Sequence, residues 1–212
     1  MTLADENRPL IIACGALASE LREVLTLGGL ADVVEVRYLP ANLHNRPEGI
    51  VPALKAHLDG RGARPTLVGY ADCGTGGALD ALLIEYPDVQ RLPGAHCYEF
   101  FSGSELFAQL HDEEPGTFYL TDFLAKHFTA LVWDGLGLDR HPQLRDTYFG
   151  NYKRVMLLSQ SDDQAIVRAG EQAANKLGLK FEHRHVGRAG LANSIPVSFK
   201  QAAKSSTSVI GL

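Results

Sequence analysis

The chain has 212 residues, 45% of them hydrophobic, which is enough for a sizeable core in one large or two small domains, and a single domain is expected. A formal net charge of −5 with Lys and Arg scattered along the chain provides no basic stripe, so nucleic acid is not an expected partner. No apolar run approaches about 20 residues, so no membrane span is expected, and three cysteines without a C-x-x-C spacing argue against a disulfide framework.

The opening "MTLADENRPL" lacks a basic segment followed by an apolar one, so no secretory signal is expected and a reducing cytoplasm is the natural setting. After it, short segments rich in Val, Ile, Leu or aromatics alternate with stretches of helical period. This is the pattern of an α/β fold with a largely parallel central sheet flanked by helices.

"PLIIACGA" (9–16) reads as the first strand and "ASELREVLTLGGL" (18–30) as its helix. "DVVEVRYLP" (32–40) alternates as a second strand, followed by the loop "ANLHNR" and a helix from near Pro47, a good first-turn residue. "PTLVGYADC" (65–73) is a third strand and "GGALDALLIEY" its helix; "VQRLPGAHC" (89–97) and "SGSELFAQLHDE" repeat the theme. "GTFYLTD" leads to a long helix, "DFLAKHFTALVWDGLGL" (122–138), and the irregular "DRHPQLRDTYFGNYK" interrupts the alternation before "RVMLLSQ". A helix from "DDQAIVRAGEQAANKLGL" and a last strand "KFEHRHVG" follow. The expected organisation is a flexible N-terminus over 1–8, one α/β domain over 9–195 and a C-terminal tail over 196–212, mobile in its "AAKSSTSVIGL" end.

Cys14, Cys73 and Cys97 each close a predicted strand and precede a turn and a helix. In a parallel sheet such positions share the edge outside the carboxyl ends of the strands, where these sheets place their sites. A lone cysteine is as readily a small buried hydrophobe; the shared position is what favours a common site.

Thiolates at that edge are ligands for Zn²⁺ or an iron–sulfur cluster, and three protein ligands leave a fourth coordination position open. Helix N-termini after the cysteines are expected to lower the thiol pKa. His44 and His96 are candidates for a fourth ligand. Neighbouring strand residues point to opposite faces, so His96 and Cys97 could share a metal only beyond the strand's end, and His44 is preferred.

In "YADCGTGGAL", Gly74, Gly76 and Gly77 are expected to let backbone, cofactor and substrate approach closely. Tyr70 and Asp72 are candidate catalytic groups, Tyr70 offering a hydroxyl proton and Asp72 accepting a hydrogen bond from an imidazole or a loop N–H. The structural alternatives are a core tyrosine and an aspartate that caps the next helix. "CGTGG" lacks the Lys-Ser/Thr of a phosphate loop and the full G-x-G-x-x-G spacing, and no G-x-S-x-G elbow occurs. In "DRHPQLRDTYFGNYKR" the crowded Arg, Asp, Tyr and Phe suit a ligand mouth or partner surface. The alternative there is packing of Tyr148, Phe149 and Tyr152 on the sheet, with Asp146 paired to Arg145 or Lys153.

The stretches "ACGAL", "LHNRPE", "GYADCGTGG", "AHCYEFFSGS", "GTFYLTDF" and "GLGLDRHPQLRDTYFGNYKR" together resemble the family called domain of unknown function 1638, over roughly residues 9 to 190. The resemblance implies a cytoplasmic protein of bacteria or archaea, associated with corrinoid-dependent methyltransferases for methylated amines. It also carries over the three cysteines as Cys14, Cys73 and Cys97, whereas the residue before the third varies, which weakens His96. The combined expectation is a small-molecule enzyme, a metal-dependent transferase, with a cysteine-ligated zinc in methylated-amine or one-carbon metabolism. A [4Fe-4S] cluster is the rival cofactor. The alternative function is a non-catalytic metal- or cofactor-binding accessory protein for a corrinoid protein or methyltransferase.

Overall fold

The computed structural model describes residues 8–208; most of the expected flexible N-terminus and the last residues of the expected tail lie outside the described residues. The fold is α/β with parallel strands throughout, but the strands fall into two sheets, of four and three strands, in two compact units. Parallel strands buried on both faces read alike in sequence, so local periodicity does not say which strand pairs with which.

The first unit comprises the described residues up to Phe100 and those from Leu191. Its strands are β1 (Leu10–Cys14), β2 (Glu35–Leu39), β3 (Thr66–Gly69) and β4 (Gln90–Arg91), in the order β2-β1-β3-β4. Helices α1 (Ala18–Leu27), α2 (Ile50–Asp59) and α3 (Ala78–Leu83) make the crossovers. Leu10, Ile11, Ile12 and Ala13 of the central β1 are fully buried. On the α2/α3 side, Leu54, Leu58, Leu79 and Leu82 pack with Leu10, Ile12, Val68 and Tyr70.

The order in which successive strands are added reverses between β1 and β3, with β2 on one side of β1 and β3 and β4 on the other. Strands β1 and β3 come very close: a Cβ placed on Gly69 would lie 2.6 Å from the Ala13 Cβ and 3.0 Å from its Cα. Glycine at 69 is therefore a packing requirement.

Residues 97–102 form helix α4, Cys97–Ser102. Helix α9 (Ala189–Ser194) precedes α10 (Val197–Ser208), which takes up most of the expected tail. Phe199 and Ala203, four residues apart and so on one helix face, are buried in α10.

The second unit, Phe101–Gly190, contains β5 (Thr117–Leu120), β6 (Arg154–Ser159) and β7 (Lys180–His185) in that order. Strand β6 is buried along its whole length. Helix α5 (Ser104–Glu113) precedes the sheet, and α8 (Gln164–Leu177) connects β6 to β7. Asp163 caps α8 by accepting from the Ala165 N–H at 2.8 Å. The long helix expected over 122–138 is broken into α6 (Asp122–Lys126) and a π-helical turn over Thr129–Trp133.

The irregular "DRHPQLRDTYFGNYK" stretch is largely packing. Its α7 (Arg145–Phe149) buries Phe149 edge-on to Phe118 at 5.2 Å, and Tyr152 meets Phe118 at 5.7 Å. Arg145 pairs with Asp146 at 2.8 Å and donates to the Leu177 carbonyl, while Lys153 turns to Glu114. Tyr148 alone of the three aromatics is exposed.

Candidate functional site

The carboxyl end of each strand in the four-stranded sheet delivers one or more of the candidate residues. Cys14 is the last residue of β1 and is followed by a 3₁₀ turn, Gly15–Leu17. His44 lies in the 3₁₀ turn Ala41–Asn45 that follows β2.

Beyond β3 come Tyr70 and Ala71, both buried. The Asp72 N–H then donates to the Gly94 carbonyl at 3.1 Å and the Cys73 N–H to the Ala95 carbonyl at 2.8 Å. The loops after β3 and β4 are thus joined past the end of the sheet.

Cys73 has φ +50°, the only positive φ at a non-glycine among the described residues. This left-handed conformation costs an L-residue roughly 1–2 kcal/mol, and such strain collects at functional positions. Gly74, Gly76 and Gly77 follow with φ of +83°, +62° and +86°. A Cβ on Gly76 or Gly77 would meet nothing, and on Gly74 only Pro47 at 3.5 Å. The positive φ is a backbone reason for glycine at all three positions, and the space beside Gly76 and Gly77 is clear of other protein atoms.

Asp72 holds this loop. Its carboxylate accepts from the Thr75 hydroxyl at 2.8 Å, the Gly77 N–H at 2.8 Å and the Gly76 N–H at 3.1 Å. Chiefly through the Gly77 N–H and the Thr75 hydroxyl, its carboxyl is held below the ordinary value. Both oxygens are engaged by the loop, so Asp72 accepts from loop N–H groups, whereas the cap of α3, Gly77, receives no side-chain cap bond.

Strand β4 is only two residues long, and Cys97 opens helix α4. The strand has therefore ended well before His96, which removes the reason for preferring His44 to His96. Both histidines are exposed, and His96 stands 6.2 Å from the Tyr98 ring. Arg91 fixes the intervening loop: it grips Asp80 of α3 through Nε at 2.5 Å and Nη2 at 2.9 Å, and donates to the Leu92 and Gly94 carbonyls. Glu99 completes the brace by accepting from the Ala95 N–H at 2.9 Å.

Cys73 feels the charge of Cys14, and Cys97 feels those of Cys73 and Cys14. Burial raises the Cys14 pKa, opposed by the Ala16 N–H and the Tyr70 hydroxyl. Burial first and the Cys14 charge second push Cys73 up to about 11, opposed by the N–H groups of Ala71 and Cys97. Burial, then Cys73 and Cys14, raise Cys97 well above the ordinary range. The expected lowering by helix N-termini is thus reversed: backbone N–H groups do point at the sulfurs, but desolvation outweighs them. All three are free thiols, partly buried, and the side chains of Cys14 and Cys73 border the hydrophobic cluster under α2 and α3.

Tyr70 neighbours Cys14 and belongs to the same hydrophobic cluster. Its side chain is only 2% exposed and its hydroxyl has no hydrogen-bond partner of ordinary geometry. Burial, and then the neighbouring Cys14, raise its pKa and keep it protonated. His44 is lowered, by its desolvating surroundings first and His96 second. Among the described residues, no group of three or more His, Cys, Asp or Glu side chains stands in a metal-holding arrangement.

Residues 38–195 match the family model described as "Protein of unknown function (DUF1638)". The chain belongs to this family. No curated protein and no solved structure matches. The matched region takes in His44, Tyr70, Asp72, Cys73 and Cys97, while Cys14 precedes it. Arg91 and Glu99, which brace the Cys73 and Cys97 loops of this family member, went unnoticed in the sequence. An arginine at a strand end and a glutamate in the first turn of a helix are too common to signal a site.

Proposed function

We propose that the carboxyl edge of the four-stranded sheet is the metal site of an enzyme acting on a small molecule, with Cys14, Cys73 and Cys97 as ligands. The observation that carries this reading is three thiols delivered by three separate connections to one edge, on both sides of the β1/β3 reversal, where open parallel sheets bind ligands. The donor set suits a soft or borderline ion. The buried Tyr70 hydroxyl beside Cys14, without an ordinary partner, is a polar group that a bound species would satisfy.

Zinc held there would supply an open coordination position and Lewis acidity toward a thiol substrate, which suits methyl transfer. The protein's own contribution is fixed by the residues around it. Backbone N–H groups of Ala16, Cys97 and Tyr98 stabilise negative charge on the three sulfurs. The same N–H donors suit a [4Fe-4S] cluster, the second reading, because hydrogen bonds to sulfur tune such centres. Tyr70 stays protonated and keeps its proton against Cys14, while His44, held neutral, offers a nitrogen lone pair at the solvent side.

The test is metal and sulfide analysis of protein purified without oxygen, for the parent chain and for Cys14→Ser, Cys73→Ser and Cys97→Ser. Bound metal that falls in each variant supports the site. Unchanged content in all three, or none in the parent, refutes it. Turnover of methylated amines by the chain alone, against turnover only with a corrinoid protein or methyltransferase, then separates an enzyme from an accessory protein.

A further inference from the structure

The second unit, which contains no cysteine, carries a cluster of its own. Strand β7 pairs with β6 so that Leu157 faces His183 and Ser159 faces His185. Alternation along the strand puts His183 and His185, two residues apart, on one face with Ser159. The Ser159 Oγ lies 2.9 Å from His183 Nε2 and 3.1 Å from His185 Nδ1. Two imidazole nitrogens therefore converge on a single oxygen.

A hydroxyl has one proton, so it can donate to only one of the rings, and at least one ring must donate an N–H to it. The Asp162 Oδ1, 3.5 Å from His185 Nδ1, only accepts, which places the donated proton on His185 Nδ1 and leaves the hydroxyl proton for His183 Nε2 as a neutral acceptor. Ser159 is wholly buried, whereas the His185 side chain is 45% exposed and Asp162 is almost fully so. One side of the cluster is thus built into the sheet and the other opens to water. Asp122 is not available to it, because its carboxylate already accepts from the Gln160 N–H, the Ser161 N–H and the Ser161 hydroxyl.

We infer that His183, His185 and the Ser159 hydroxyl form a second cation site, selective for first-row divalent transition ions that favour imidazole. The ion takes the place of both hydrogen bonds: the Ser159 hydroxyl keeps its proton but turns it away from His183, and the single proton of neutral His185 moves from Nδ1 to Nε2. Water fills the other positions, and the Asp162 carboxylate supplies negative charge beside them. The site ties the edge strand β7 to the end of β6 and does not depend on the thiol reading, since it contains no sulfur ligand.

Titration of the full chain with Co²⁺ tests it, because thiolate ligands give intense near-ultraviolet charge-transfer bands and imidazole ligands do not. One equivalent is expected to bind without those bands. Its affinity should fall at least tenfold in His183→Gln and in His185→Gln, and be unchanged in the Cys73→Ser variant. Far-ultraviolet circular dichroism checks the fold of each variant. In the Cys73→Ser variant, which disables the thiol site and leaves both histidines in place, paramagnetic Co²⁺ should shift the His183 and His185 imidazole resonances before those of the other histidines. Retention of the equivalent in both folded histidine variants, or first shifts at other histidines, overturns the inference, as does the lack of any binding outside the thiolate bands.

Discussion

Replacing Gly69 by alanine puts a methyl group where β1 and β3 leave no room for one. The new Cβ would lie 2.6 Å from the Ala13 Cβ, 3.0 Å from its Cα and 3.5 Å from the Ile11 Cγ2. Neither strand can yield easily, because Ile11, Ile12 and Ala13 are fully buried and the register Ala13↔Gly69 is fixed by the pairing of both strands. Overpacking of this kind costs about 2–3 kcal/mol. Ala13→Gly alone should cost about 1.5 kcal/mol, from one lost buried methyl and the added backbone entropy of glycine. In the double variant the closest clash is gone, so the total should fall short of the summed single losses by about 1–2 kcal/mol. Urea denaturation measures these values, and hydrogen exchange at the β1 and β3 amides localises them to the first unit. Cys14 and Tyr70 adjoin the two positions, so Gly69→Ala should also speed the reaction of Cys14 with a thiol reagent, and Ala13→Gly should partly reverse that. Strict additivity of the two substitutions, or a Gly69→Ala protein as stable as the parent, would refute the close approach of β1 and β3 beneath the thiols.

Gly77→Ala should cost roughly 1–2 kcal/mol because of its positive φ alone, and Gly77→Asn less, since open space surrounds the position and asparagine tolerates that conformation; equal losses in denaturant midpoints would mean that side-chain volume matters instead. Tyr70→Phe removes a buried hydroxyl without an ordinary partner, so thermal melting should show stability unchanged or raised by up to about 1 kcal/mol, and a clear loss would reveal a hydrogen bond that matters. Glu35 is partly desolvated, which alone would raise its pKa, but Arg37 and Arg64 outweigh this and leave it below 4.5. A carboxyl depressed by folding contributes stability above its unfolded pKa and loses it as the pH falls through the folded value, so Glu35→Gln should lower stability at neutral pH by about 0.5–1 kcal/mol and flatten the acid limb below the ordinary glutamate value in denaturation curves taken across pH.

The carboxyl-edge location of the candidate residues was legible because alternation of apolar segments and helical period reveals strand ends, and strand ends in a parallel sheet define an edge. Strand β1 and helix α8 were legible for the same reason. Strand β4 was not: "VQRLPGAHC" has strand-like composition, but Pro93 and a Gly94 with φ +91° end the pairing after Arg91. Helix α10 was hidden by its Ser- and Thr-rich end, although Phe199 and Ala203 were its apolar face. The thiol pKa values were misjudged for a deeper reason. A helix N-terminus is visible in local sequence, whereas desolvation comes from α2, α3 and the neighbouring loops, which reach the cysteines only through the fold. The strain at Cys73 was likewise invisible, since nothing local distinguishes a left-handed cysteine from an extended one.

The pairing of Asp72 with Gly94 and of Cys73 with Ala95 also has a mechanical meaning. These two connections form a short splint beyond the sheet, clamped further by Arg91 and Glu99, so Cys73 and Cys97 are carried on one stiff arm. Cys14 rides on a different support, the end of β1. Any change in the spacing of the three sulfurs must be taken up chiefly between that arm and β1, a single degree of freedom. The amide hydrogens of Asp72 and Cys73 should accordingly exchange as slowly as those of the neighbouring strands, despite lying in what the chain's outline presents as loop.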